Sequence, residues 1–305
     1  MKKSEFDKLI KTNLNESTSR FGYELNGELY ENYYSKIEFE KYKFDLKLIK
    51  LDGKNSNAYD AYTNGKGNEL EISYNKKNGK WYPPKMASVA SSSRFAIESI
   101  LKATTKNLSE VFGISENYQK EAEKGVPFQR GGIAPQIDAY LCDKNNEIFI
   151  ETKCHEIFDS HVLKMSSSYL LHFKEFGINY LNPTIDSDDN FTLDKSLFGY
   201  KQNEILRFDA KQAISHILGV KKKRLLKTKL IFLFFKPCND GIYNGLINQI
   251  HRFILSPFIQ TIVNEDFDLE FAFQQSIKME FLSIENYKPF IIYKNNIVKK
   301  IDIIS

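Results

Sequence analysis

The chain has 305 residues, 42% of them hydrophobic and 27% charged, the balance of a globular protein with a core of its own and not of a disordered or fibrous chain. A net charge of +4 excludes a general polycation, so any attraction to nucleic acid has to come from local basic patches. Three scattered cysteines (Cys142, Cys154 and Cys238) exclude a disulfide framework or a zinc cage, and the most apolar run, residues 230–235, is far too short to span a bilayer.

The first sixteen residues lack the apolar core of a secretory signal, which sets the expectation of a soluble, cytoplasmic protein. Residues 1–80 are rich in Lys, Tyr, Asn and Glu. Within them ELEISY (69–74) alternates like a half-buried strand, and NKKNGK followed by WYPP predicts a hairpin ending at the prolines. Lys76, Lys77, Lys80, Trp81, Tyr82 and Lys85 mix charge with aromatics, which suits backbone contact or minor-groove insertion; burial of Trp81 in the core is the more ordinary expectation. Serines at 91–93 lead into RFAIESILKATTK, an N-capped amphipathic helix.

IDAYLC (137–142) and EIFIETK (147–153) are β-rich runs separated by DKNN, the pattern of a hairpin. HEIFDSHVLKMSSSYLLHFKEFGI (155–178) has a largely helical pattern, and residues 181–200 read as a polar surface insertion. RFDAKQAISHILGV predicts a helix closed by Gly219, and KLIFLFFK (229–236) a strand buried on both faces. Residues 242–263 read as one long helix, and PFIIYKNNIVKKIDII as a last hairpin turning at Asn295 and Asn296. The order is that of a mixed α/β domain over residues 85–305, preceded by an N-terminal extension, 1–84, open to recognition, dimerisation or plain packing.

The hairpin carries the chemistry. Alternation puts Glu151 and Lys153 on one face of their strand. A turn centred between Asn145 and Asn146 sets Asp138 opposite Lys153 and Tyr140 opposite Glu151, whereas a one-residue slip would send Asp138 to the other face. Two carboxylates and an ammonium gathered on apolar strands are costly without a task. A divalent cation between the carboxylates resolves their repulsion, hard oxygen donors suit Mg²⁺ or Mn²⁺, and a lysine beside such a cation fits metal-assisted phosphodiester hydrolysis.

PQIDAYL followed by EIFIETKCHE resembles the PD-(D/E)XK motif of restriction-endonuclease-like enzymes. GGIAPQIDAYL, IFIETKCHE and FDAKQAISHILGV together resemble a bacterial family of type II restriction endonucleases, over about residues 85–240. The resemblance implies a restriction-endonuclease-like core, a mixed central sheet flanked by helices. It also implies metal ligation by Asp138, Glu151 and the Thr152 carbonyl, Lys153 as catalytic lysine, double-stranded DNA as substrate, restriction-modification as the setting and a homodimer as the working form. No organic cofactor is implied. The proline of the motif is displaced here, to Pro135-Gln136-Ile137-Asp138.

Further candidates carry plainer explanations beside them. Glu98, on the preceding helix, is an additional metal-ligating acid or a solvated charge. Gln212 and His216 share a helix face; Gln212 is the choice for the metal-bound water or the DNA backbone, and His216 a satisfied histidine at a helix end. Ser93 and Arg94 at a helix N-terminus suit phosphate, although capping alone accounts for the serines. His155 contacts substrate or merely begins a turn. The basic run Lys221, Lys222, Lys223, Arg224, with Lys227 and Lys229 beyond it, contacts a duplex backbone or forms a solvated loop. Beside a sequence-specific endonuclease, the alternatives are a structure-selective repair or phage-defence nuclease and a non-catalytic nucleic-acid- or protein-binding module. A carboxylate-pair glycosidase is disfavoured by Lys153.

Overall fold

The computed structural model describes residues 1–13, 20–65, 69–75, 78–128, 134–223, 225–238, 240–263, 267–276, 279 and 286–292. The N-terminal stretch forms α1 (Lys3–Asn13), the hairpin β1 (Phe21–Leu25) and β2 (Glu28–Tyr34), α2 (Lys36–Leu48) and α3 (Ala58–Asn64). A small hairpin follows, β3 (Ser73–Asn75) with β4 (Lys80–Tyr82), shorter than the alternation of residues 69–74 suggests. α4 (Ser92–Ala96) is capped by the Ser91 hydroxyl, which accepts from the Arg94 N–H at 3.2 Å, and it runs on into a π-helical turn, Ile97–Leu101. α5 (Thr105–Phe112) leads to β5 (Gln119–Gly125), β6 (Gln136–Cys142) and β7 (Asn146–Lys153).

Residues 155–178 are less helical than their pattern suggests, giving β8 (Lys164–Ser166) and a short α6 (Tyr169–Glu175). The stretch read as a surface insertion supplies β9 (Asn190–Thr192), which pairs with β8, and it buries Phe191, Leu193, Phe198 and Tyr200. Its polar residues face out while the aromatics staple it down. Then come α7 (Ala210–Lys223), β10 (Lys227–Phe235), α8 (Gly241–Leu255), α9 (Pro257–Ile262), β11 (Phe267–Gln274) and β12 (Tyr287–Ile292). The long helix expected over 242–263 is two helices, because Ser256 is extended and caps α9, with Pro257 as its first residue. The turn expected at Asn295 and Asn296 lies outside the described residues.

Six strands form the central sheet in the order β12-β11-β10-β7-β6-β5. β7, β10 and β11 run parallel and the remaining pairs are antiparallel, so the sheet is mixed, with helices flanking it. β10 sits at its centre and is buried along nearly its whole length, as its unbroken apolar run requires. α1 belongs to the same core, since Phe6 packs its ring on Phe158 and Phe235.

Helix α7 does not stop at Gly219. It continues to Lys223, and the glycine serves packing instead: a Cβ at 219 would stand 2.3 Å from the Val126 carbonyl oxygen. The segment after β5 presses on the helix there, where no other residue fits without backbone movement.

Candidate active site

The β6–β7 hairpin is in a register two residues away from the expected one. Tyr140 pairs with Phe149 and Ala139 with Ile150. The turn is centred one residue earlier because the Asp143 carboxylate accepts the N–H groups of Asn145 and Asn146, each at 2.7 Å, starting the ladder at Cys142 and Glu147. A shift of two preserves the parity of the faces, so Asp138 still lies on the side of Glu151 and Lys153.

Beyond Ala139 and Ile150 the ladder ends, and the Asp138 side chain takes over as acceptor. Its Oδ2 receives the Thr152 N–H at 2.7 Å and lies 2.7 Å from the Thr152 hydroxyl, which also reaches the Ser92 carbonyl of α4 at 2.9 Å. On β7, Glu151 Oε1 accepts from Lys153 Nζ at 2.6 Å and from Gln212 Nε2 of α7 at 3.0 Å. Glu151 Oε2 is buried and has no hydrogen-bond partner; His216 Nδ1 stands 3.7 Å from it, beyond bonding range. Asp209 accepts the Gln212 N–H at 2.9 Å, capping α7 and aiming its first turn at the pocket.

All of these groups line one solvent-open pocket of about 590 Å³. Two acids that local spacing did not single out line it too: Glu69, ahead of the β3–β4 hairpin, and Glu123 on β5. Glu123 interrupts the β5–β6 pairing opposite Asp138 with a left-handed backbone, φ 52°. That irregularity is a tertiary feature. The local sequence QKEAEKG reads as a charged surface strand, so only the three-dimensional neighbourhood reveals the residue.

Crowding shows in the protonation of the site. Burial, then the neighbouring Glu151, pushes Asp138 up to about 7, against Lys153 and the two bonds from Thr152. Burial followed by Asp138, Glu69 and Glu151 raises Glu123 to about 9. Burial also raises Glu151 and Glu69, partly offset by Lys153 and Lys85 respectively. For Lys153, burial pulls the other way but is outweighed by Glu151, Glu156 and Asp138, so the ammonium stays firmly charged. Burial, then Lys153, lowers His216 to about 3; the ring is neutral and stacked on Phe232.

Among the described residues, no group of three or more His, Cys, Asp and Glu side chains is already set to hold a metal ion. The donors nevertheless fit a hard cation of the Mg²⁺ type, which needs only one or two carboxylates and keeps several waters. The unpartnered, buried oxygen of Glu151, a residue that lines the pocket together with Asp138, is the observation that favours this.

Most of the other expected residues lie elsewhere. Glu98 pairs with Lys102 at 2.8 Å and lines a separate cavity with Arg94. The Arg94 guanidinium is sandwiched between the rings of Tyr34 and Tyr42, at 3.7 and 4.0 Å. Ser93 does line the acidic pocket. His155 begins a turn after β7, with Nδ1 2.5 Å from the Ala90 carbonyl, and lines the groove next to the pocket. Lys221 is buried and bonded to the Ile262 carbonyl, Lys222 meets Glu175 at 3.2 Å and Lys223 the Gly125 carbonyl at 3.3 Å. These three continue α7 and do not form a solvated loop; Arg224 lies outside the described residues. No helix among the described residues is long and apolar enough to cross a membrane. Comparison of the chain with protein-family models, curated proteins and solved structures found no match.

Proposed function

We propose that the protein is a divalent-cation-dependent DNA endonuclease with a restriction-endonuclease-like core, acting on double-stranded DNA as a sequence-specific type II enzyme and working as a homodimer. The observation that carries this reading is the convergence of Asp138, Glu151, Lys153 and Gln212, from two strands and a helix, on one open acidic pocket. The sequence segments that resemble PD-(D/E)XK enzymes are the same ones that build the pocket, which supports the family-level reading.

Asp138 and Glu151 would hold Mg²⁺, or Mn²⁺ in its place, with the Thr152 carbonyl as a further donor. When bound, the cation supplies charge neutralisation and a more acidic water. The chain does the rest. Thr152 fixes the Asp138 carboxylate through two contacts, and Gln212 fixes Glu151 from the helix side. Lys153, held charged at the pocket, offers its ammonium to the negative charge that builds on a phosphate under attack. Asp138 and Glu151, whose buried carboxyls hold protons more tightly than usual, would have to give them up to ligate the cation.

Incubation with unmethylated genomic DNA and Mg²⁺ should give discrete fragments. Lys153→Ala should slow cleavage by about a hundredfold or more, and Asp138→Ala should remove it, both with wild-type circular dichroism. Undiminished Mg²⁺-dependent cleavage by either variant, or no cleavage by the wild type with either cation, would overturn the reading. A smear in place of bands would keep the chemistry and remove the sequence specificity.

A further inference from the structure

Trp81 is the sole tryptophan of the chain, and it is not in the core. It sits on β4 with 48% of its surface exposed, paired across the hairpin with Tyr74, itself 49% exposed; the two rings lie 5.0 Å apart. Keeping such surface in water forgoes the stabilisation that its burial would bring. Yet the hairpin is held firmly in this pose. Tyr30 donates its hydroxyl to the Trp81 carbonyl at 2.6 Å, Lys80 pairs with Glu28 at 2.9 Å, and the Tyr30 and Tyr82 rings meet edge to face.

The two ends of this segment are tied to the rim of the acidic pocket. Glu69 lines the pocket, and Lys85, 3.3 Å from Glu69, lines the groove that adjoins it. The Met86 N–H closes the neck on the Glu69 carbonyl at 3.0 Å. Trp81 stands four chain steps before Lys85, so the two Cα atoms lie no more than about 14 Å apart. A two-stranded β-ribbon of this kind is admitted by the major groove of DNA, about 12 Å wide.

We propose that the β3–β4 hairpin enters a groove of duplex DNA whose backbone lies in the acidic pocket, with Trp81 and Tyr74 against the bases and Lys80 and Lys85 toward the phosphates. The inference rests on the DNA-cleaving reading of that pocket. Continuity with a phosphodiester site selects DNA as the occupant, and exposed rings on a ribbon are what groove-inserting proteins present to base steps.

The single tryptophan makes the test direct. Lys153→Ala protein is titrated in Mg²⁺ with a fluorescein-labelled duplex, following anisotropy, and with the unlabelled duplex, following tryptophan emission. Both signals should change with one midpoint. Trp81→Ala should weaken binding about tenfold with an unchanged melting temperature, and Trp81→Phe should restore most of it. If anisotropy rises while emission stays constant and Trp81→Ala binds like its parent, the hairpin assignment fails and DNA binding stands. If the duplex produces no anisotropy change, the DNA reading falls and the hairpin inference with it. Quenching by single strands alone would overturn groove entry.

Discussion

The two ends of the β6–β7 hairpin carry carboxylates in opposite circumstances. At the turn, Asp143 accepts N–H groups from Ser115, Asn145 and Asn146, and although burial opposes its charge these bonds draw it down to about 2. Its neighbour Glu147 accepts from the Tyr140 hydroxyl and the Leu225 and Leu226 amides. At the open end Asp138 and Glu151 face one another and two further acids, and their protons are held too tightly. One end closes the fold; the other keeps unmet demand for positive charge. Within a single hairpin, the number of donors around a carboxylate separates a structural acid from one poised to take a ligand.

Substitution should split the two ends by sign. Asp143→Ala removes the acceptor of three backbone donors and should cost about 2–4 kcal/mol in urea unfolding. Asp138→Asn keeps an acceptor for Thr152 while removing a crowded charge, so without divalent cations it should be neutral or stabilising by up to about 1 kcal/mol. Equal destabilisation in both variants would dissolve the contrast.

The pH dependence should diverge as well. Asp143 has a folded value of about 2 against an ordinary 3.8, so its contribution is present above about pH 4 and lost as pH falls toward 2. Asp138 and Glu123, at about 7 and about 9 when folded, bind protons on folding. Their stabilising share is complete below pH 4 and drains away as pH rises through 7 and 9. Urea midpoints across this range should therefore decline on the alkaline side, and Mg²⁺ should raise the midpoint more at pH 8 than at pH 5. A Mg²⁺ effect independent of pH would count against the carboxylates as its ligands. The smallest effect belongs to Gln212→Ala, which loosens Glu151 and should lower cleavage about tenfold with little change in melting temperature.

Much of this was legible where physical forces act locally. Alternation and unbroken apolar runs marked β6, β7 and β10, and the four-residue spacing of a helix put Gln212 on a face that meets Glu151. Face parity survived a wrong turn centre because moving the centre by one residue shifts the register by two. Glu69 and Glu123 stayed hidden because they reach the pocket from β-structure distant in sequence, one through a left-handed kink. Lys221 went unread for a related reason: it extends an amphipathic helix, so its stem and charge are taken up inside. Trp81 went the other way, exposed where size alone suggests burial.

Gly219 has a mechanical corollary. It lies seven residues, two helical turns or about 10 Å, beyond Gln212 on the same side of α7. Because the helix rests on the Val126 carbonyl at that point, the missing methyl acts as a shim of zero thickness. Inserting one would lift the helix by about 1 Å to restore ordinary contact. The Gln212–Glu151 bond, 3.0 Å long, would then stretch past the range in which a hydrogen bond exists. The working clearance of the pocket is thus machined at a bearing two turns away, by an atom the chain leaves out.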